Sequence, residues 1–373
     1  MPNRKSFDAL IIGAGIIGCS LARSLAEQHL KVAVVERGAP GEEASWAAAG
    51  MLSSSAETET ATPLFALGRA SFQIYRPFAS QLQSETGIDV HYRSEGTLLV
   101  FENSREREAM LSSLEWQRSA GISVEELSGQ QLREQEPVLA PYPGAFYLAE
   151  DHQIDNRLVM RALVESCRQR GVEFILGKTV LAVERHGYSA TGVQLETERI
   201  SGGRIVNTAG AWAGSITVPG LLPAPIRPVK GHMIALESPR PLLRHVIRSH
   251  QVYLVPRQHG MVLVGSNMEE AGFDKTPRAG PLARLLTAAQ HLCPVLEQSK
   301  IAEFWAGLRP AAPDGLPLLG PTLDGYWVAL GHFRNGILLA PITAQILSSW
   351  LLTGKPSFPV DALLPQRFEK QSV

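Results

Sequence analysis

Residues 7–18 read Phe7-Asp8-Ala9-Leu10-Ile11-Ile12-Gly13-Ala14-Gly15-Ile16-Ile17-Gly18, and the fold is decided there. An apolar run that ends in glycines has the pattern of a strand buried on both faces of a parallel sheet. Ile17, Leu21 and Leu25 then recur at helical spacing over residues 16–28, and residues 31–35 form a second β-branched run, so the chain opens with a βαβ unit. Its strand-to-helix turn carries GxGxxG. Gly13 permits the tight turn, Gly15 lets backbone approach a pyrophosphate, and Gly18 lets the helix pack closely, while the helix N-terminus offers N–H groups and positive dipole to phosphates. Glu36 ends the second strand, where a carboxylate accepts hydrogen bonds from ribose hydroxyls and disfavours a 2′-phosphate. The motif points to a dinucleotide without choosing between a nicotinamide and a flavin.

Outward from that unit, 373 residues correspond to about two to three domains. With 45% hydrophobic and 19% charged residues the chain builds a large core without disulfides or a structural metal. Lys+Arg 35 against Asp+Glu 36 leaves a net charge of -1, no field for a polyanion, so nucleic acid is not an expected partner. Cys19, Cys167 and Cys293 are odd in number and form no CxxC pair, which argues for a reducing compartment and against zinc. The histidines form no HExxH, so no metal is assigned, and there is no Ser/His/Asp elbow. The apolar stretch near the N-terminus is broken by Gly13, Gly15 and Gly18 and does not read as a secretory signal. Residues 336–352 are apolar but interrupted by Thr343, Gln345, Ser348 and Ser349, and read as a buried helix, not a membrane span. A cytoplasmic protein with no membrane partner is expected.

Periodicity predicts helices over 64–84, 106–119, 157–170 and 282–292, and strands over 92–101, 172–176, 180–184, 203–207, 252–255, 261–264 and 326–330. Residues 53–62 read as a loop, and Pro137, Pro141 and Pro143 mark a turn region. Residues 224–273 switch to alternating strands, a second architecture. The expected fold class is α/β with α+β character: a Rossmann-like domain interwoven with an antiparallel-sheet substrate domain.

Two segments bear on the ligand. Ala44, Ser45, Ala47, Ala48, Ala49, Gly50 and Met51 would let a planar ring pack against backbone, or else form a plain helix start capped by Ser45. Residues 331–336 precede the apolar helix and would aim a second helix N-terminus at the same cleft, where a reduced flavin carries negative charge. Arg309, set in Trp305-Ala306-Gly307-Leu308-Arg309-Pro310, reads as a buried guanidinium that needs an anion: a substrate carboxylate, or Glu303 or Asp314 in a structural pair. The Tyr253 hydroxyl needs either that carboxylate or a backbone partner. Lys230, a formal Schiff-base candidate, reads as a solvated lysine at a strand end.

Together these motifs resemble the FAD-dependent amine oxidases of the D-amino-acid oxidase type, and within them the glycine oxidases of bacterial thiamine biosynthesis. The resemblance covers nearly the whole chain. It rests on the GxGxxG with Glu36-Arg37, on residues 47–52 followed by Ala56-Glu57, on Tyr253-Leu254-Val255-Pro256-Arg257, on Phe304 to Pro310, and on Gly331-His332-Phe333-Arg334-Asn335-Gly336-Ile337-Leu338-Leu339-Ala340-Pro341. It implies noncovalent FAD touching Ile16, Ile17, Glu36, Arg37, Ala44, Ser45, Ala49, Gly50 and Met51, with Val180 at the adenine end and His332, Phe333, Arg334, Asn335, Gly336, Ile337 and Leu338 cradling the isoalloxazine. Cys293 lies outside the motif through which sarcosine oxidases attach flavin. The resemblance further implies Arg309 and Tyr253 on the substrate carboxylate, Arg334 near the amine, and Gly50 and Met268 as walls. The implied reaction passes a hydride from Cα to flavin with oxygen as the second substrate, and it requires no acid or base residue if the amine binds neutral. Glycine, sarcosine and small D-amino acids are the implied substrates, a thiazole synthase the implied functional partner, and a homotetramer the implied assembly. A D-amino-acid dehydrogenase or a sarcosine-oxidase-like enzyme is the alternative. The implied domains are FAD-binding over 1–85, 145–220 and 320–373 and substrate-binding over 86–144 and 221–319.

Overall fold

The computed structural model describes residues 6–53 and 62–371. Ala56, Glu57 and most of the expected 53–62 loop lie outside the described residues. One sheet has six strands in the order Leu318–Leu323, Tyr326–Leu330, Ile205–Asn207, Ala9–Ile12, Val32–Glu36 and Glu173–Leu176, all parallel except for the Leu318–Leu323 hairpin. Ala9–Ile12 lies centrally with all four residues buried, as its apolar run requires. Helices Ile16–Glu27, Asn156–Gln169 and Gly336–Thr353, with Pro63–Thr86, bury their apolar faces together against this sheet. Gly336–Thr353 is long and apolar enough to cross a membrane, yet most of it is buried within the protein. A four-stranded sheet, Ser6–Phe7, Arg199–Gly202, Ser189–Gln194 and Ala182–His186, packs against the other face.

The second architecture is an eight-stranded sheet in the order Lys300–Ala311, Arg227–Glu237, Met261–Gly265, Tyr253–Pro256, Val246–Arg248, Thr97–Phe101, Gly144–Leu148 and Val124–Ser128. Its pairs are antiparallel except Val246–Arg248 with Thr97–Phe101. Gly144–Leu148 pairs on both sides inside this sheet, so the expected 144/145 boundary cuts a strand whose ladder ties it to residues 97–101 and 124–128.

The longest ladder, Lys300–Ala311 against Arg227–Glu237, has no clean two-residue alternation in its sequence. Lys300–Ala311 is an edge strand, with Ile301 and Phe304 exposed and Pro310 opposite Pro228, where no ladder N–H is needed. The expected strand 92–101 shrinks to Thr97–Phe101 because Gly96 turns the chain at φ 89°. The helix expected over 64–84 runs Pro63–Thr86: Thr62 Oγ1 accepts from Phe65 N at its start, and Gly87 closes it at φ 71°. Val180 precedes its strand, which begins at Ala182.

Leu10 is fully buried at the centre of the six-stranded sheet and packs on Gly202, where a Cβ would lie 2.6 Å from Leu10 Cγ. Leu10→Ala is expected to lower unfolding stability by about 3 kcal/mol, read as a lower urea midpoint at unchanged m-value.

Candidate functional site

Past the end of Ala9–Ile12 the chain turns at Gly13, φ 101°, where a Cβ would lie 2.9 Å from the Thr208 carbonyl oxygen. At Gly18 a Cβ would strike the Gly13 carbonyl and the Thr208 hydroxyl. Thr208 Oγ1 in turn donates within reach of the carbonyls of Ile12, 2.8 Å, and Gly13, 2.9 Å. The two glycines therefore allow helix Ile16–Glu27 to start flush against the sheet with its N-terminus facing a cleft. That cleft encloses about 1290 Å³ of empty space, part of it open to solvent. It is lined by Gly13, Gly15, Ile16 and Ile17, by Glu36, Arg37, Ala44, Ser45 and Val180, and by His332, Phe333, Arg334, Gly336 and Ile337.

Glu36 accepts from Ala14 N at 2.8 Å through one carboxylate oxygen and from Gly38 N at 2.9 Å through the other. Both carboxylate oxygens retain lone pairs that can accept from ribose hydroxyls. Ser45 does not cap its own helix, Ala44–Ala47; its Oγ accepts the Ile16 N–H at 2.9 Å from 29 residues away, which leaves the hydroxyl proton for an anion at the helix N-terminus. Trp212, which periodicity does not single out, lines the cleft beneath Arg37 with the guanidinium 3.6 Å from its ring centroid. Apolar walls, a helix N-terminus and a ribose-height carboxylate form a donor and acceptor set that fits an adenine dinucleotide.

The small-residue segment beside the cleft is held carbonyl by carbonyl. Asn156 Nδ2 donates to Ser45 O and Trp46 O, Trp305 Nε1 to Ala47 O at 3.0 Å, Arg257 Nη2 to Ala49 O at 2.5 Å, and Ile154 N to Gly50 O at 2.9 Å. Arg157 lies 3.6 Å from the Trp46 ring centroid and 4.7 Å from that of Trp305, with Glu303 at 2.8 Å. Burial pulls the Arg257 pKa down to about 10, against the opposing pull of Asp155. Asn156, Arg157 and Arg257 were missed as site residues because their function is main-chain support, which leaves no motif.

Arg309 is half-buried, not fully buried as expected, because it stands on the edge strand. Glu303 pairs with Arg157 and Asp314 with Arg367. Arg309 instead donates from Nη2 to Ser266 Oγ at 2.6 Å and from Nη1 to Asn267 O at 3.2 Å. Its neighbour Pro310 lines the cleft, and Gly307 lies against Ala47, so this strand abuts the small-residue segment. Tyr253 OH reaches neither a carboxylate nor backbone but Met233 Sδ, 3.2 Å away. Met268 is 61% exposed. Arg309, Tyr253, Met268, Ala49, Gly50 and Met51, together with Gly18, Asn335 and Leu338, do not line the cleft. Lys230 corrects its sequence reading: it is fully buried, with Nζ donating to Thr276 O at 2.6 Å and the Asp274 carboxylate 3.6 Å away as its counter-charge, because residues 269–278 fold over the strand that carries it. Among the described residues no group of three His, Cys, Asp or Glu is placed to hold a metal. Cys293 is buried in the core of the eight-stranded sheet.

On the cleft wall, Phe333 takes φ 47°, a conformation strained for a bulky side chain, and its N–H donates to Pro310 O at 2.9 Å. That turn delivers Gly336 and Ile337, the start of helix Gly336–Thr353, to the cleft wall. His332 sits behind it, buried, with Nε2 3.0 Å from Thr343 Oγ1.

The family model described as DAO, FAD dependent oxidoreductase, matches residues 8–350. Glycine oxidase of Pseudomonas aeruginosa is 33% identical over 350 residues, covering 93% of this chain and 94% of that one. A bifunctional protein ThiO/ThiG of Synechocystis sp. is 36% identical over 371 residues, covering 97% of this chain and 54% of that one. The crystal structure of glycine oxidase from Geobacillus kaustophilus superposes with a TM-score of 0.93 at 30% identity, over 98% of this chain and 99% of that one.

Burial of His332 lowers its pKa to about 3 from the ordinary 6.5. The unfolded chain thus takes up a proton that the folded protein refuses, so the stability is complete above pH 6.5 and is lost as pH falls from 6.5 towards 3. Urea unfolding of His332→Gln at about pH 7.5 and about pH 5 is expected to show an acid loss smaller than wild type by on the order of 2 kcal/mol.

Proposed function

This chain belongs to the FAD-dependent oxidoreductase family, and we propose that it oxidises glycine, and with it sarcosine and small D-amino acids, to the 2-oxo acid, ammonia or amine, and hydrogen peroxide. The observation that carries this reading is the placement of Arg309 one residue from Pro310 in the cofactor cleft, on a strand packed through Gly307 and Trp305 against the segment 44–50. A guanidinium there matches an amino-acid carboxylate and sets Cα beside the cleft. Similarity over nearly the full length to glycine oxidases of other organisms supports the same substrate class.

Bound FAD would supply the two-electron acceptor for oxidation at Cα, with oxygen as the second substrate. The protein's part is positioning and field. Gly13, Gly15, Ile16, Ile17 and Ser45 would take the pyrophosphate, Glu36 the ribose, Arg37 and Val180 the adenine end, and Ala44, Ala49, Gly50 and Met51 one side of the ring. The turn from His332 through Asn335 and the helix start Gly336, Ile337 and Leu338 would face the ring's N1 and C2 edge with N–H groups and dipole. Gly18 serves by packing. Arg309 holds the carboxylate, Tyr253 and Met268 close the substrate side, and the exposed Arg334 adds positive potential that favours the carboxylate and a deprotonated amine. His332 is neutral and engaged with Thr343, consistent with a reaction that needs no side-chain base.

We assign the six- and four-stranded sheets to an FAD-binding domain and the eight-stranded sheet, Gly144–Leu148 included, to a substrate-binding domain. Noncovalent flavin is supported by the burial of Cys293, and a cytoplasmic location by the free, buried state of Cys19, Cys167 and Cys293. The exposed Ile301 and Phe304 on an edge strand support assembly, as a homotetramer by the family resemblance. The fused ThiO/ThiG relative supports a working link to a thiazole synthase.

Arg309→Met is expected to raise KM for glycine about 100-fold or more, the loss of a charged bidentate pair, while FAD content and the flavin spectrum stay those of wild type. An unchanged KM would remove Arg309 from the substrate site.

A further inference from the structure

Directly opposite residues of an antiparallel pair share a face, so Val229 and Gly231 lie on the face of Arg309 and Gly307, while Lys230 and His232 lie on the other. Lys230 and His232 are both fully buried. Along the opposite side of the same strand, the regular ladder with Met261–Gly265 stops at Met233 and Gly265 and resumes one residue out of register at Lys230 and Glu269. Asn267 sits in that bulge. Its Oδ1 takes the place of a ladder carbonyl, accepting the His232 backbone N–H at 2.8 Å. Its Nδ2 donates to Glu269 Oε1 at 2.6 Å.

These contacts determine the donor and acceptor roles of the imidazole. A backbone N–H only donates, so Oδ1 is the atom facing His232, and His232 Nδ1, 3.0 Å from the same oxygen, must carry the proton. His232 Nε2 is then the lone pair that accepts the Arg278 N–H at 3.2 Å. On the opposite face, the backbone carbonyl of this same Asn267 accepts from Arg309 Nη1, and the adjacent Ser266 Oγ from Nη2. One residue therefore has its side chain keyed to a fully buried histidine and its carbonyl on the guanidinium.

We propose that His232 and Asn267 are positioning residues for Arg309, a relay in which the histidine fixes the Asn267 amide, and the Asn267 carbonyl fixes the plane of the guanidinium that receives the substrate carboxylate. This rests on the reading of Arg309 as the carboxylate anchor. A misaligned fork loses one of its two hydrogen bonds to the carboxylate, so the cost falls on carboxylate affinity and not on the chemical step.

The test uses the FAD-loaded enzyme, with acetate as a carboxylate probe read by perturbation of the flavin absorbance, and steady-state kinetics with glycine. Asn267→Ala and His232→Leu are each expected to weaken acetate binding and raise KM about tenfold, with kcat within about twofold of wild type and FAD content unchanged. His232→Asn, whose amide keeps a donor near the Nδ1 position, is expected to recover most of the affinity. Acetate affinity and KM left at wild-type values, a loss confined to kcat, or equal weakening in His232→Asn and His232→Leu would each overturn the relay. Asn267 is half-buried, so Asn267→Ala decides the matter if His232→Leu fails to fold. Arg309→Met separates the two readings: if it binds acetate as wild type does, the anchor itself is wrong, whereas weak binding there beside wild-type binding in Asn267→Ala overturns the relay alone.

Discussion

The close approach of one helix to the end of one central strand is the constraint on which the rest of the molecule depends. Gly13, Gly18 and Thr208 meet where no side chain has room, and the Thr208 hydroxyl bonds the carbonyls of Ile12 and Gly13. Because helix Ile16–Glu27 starts flush against the sheet, its N-terminal N–H groups face a cleft and not a neighbouring side chain. Glu36 and Ser45 are positioned from that point, each through a hydrogen bond to the backbone of residues 14–16. A Cβ at Gly18 would disturb the helix, the turn and both side chains together.

The second sheet reaches this cleft through a small number of interlocked contacts. The strand Lys300–Ala311 brings Gly307 against Ala47, Trp305 onto the Ala47 carbonyl and Pro310 into the cleft wall. Arg257 and Asn156 satisfy neighbouring carbonyls from behind, so a segment with small side chains is held without bulk on the cleft side. The arrangement resolves a conflict: a flat ring needs access to backbone, and backbone carbonyls need partners.

Where local chemistry dictated structure, the sequence was readable. The glycines, Glu36 and the paired helix starts at Ile16 and Gly336 all lie where pattern placed them, because turn geometry, dipole and apolar periodicity act over a few residues. The long ladder of Arg227–Glu237 with Lys300–Ala311 was not legible: an edge strand with prolines and exposed Ile301 and Phe304 need not alternate. Lys230 read as solvated and is fully buried, since its cover, residues 269–278, is a loop whose path no periodicity reports. Arg309 reads in the sequence as a guanidinium in need of a partner, but Ser266 and Asn267, which it meets, are not legible there, being set by the register of a bulge.

The central claim, an FAD enzyme that takes electrons from a small amino acid and gives them to oxygen, is tested most directly by the absorbance of the purified holoenzyme on anaerobic addition of glycine, followed by air. Flavin bands that bleach with glycine and return in air with formation of hydrogen peroxide are the predicted result. Bands that stay unbleached with glycine, sarcosine and D-alanine alike would contradict it.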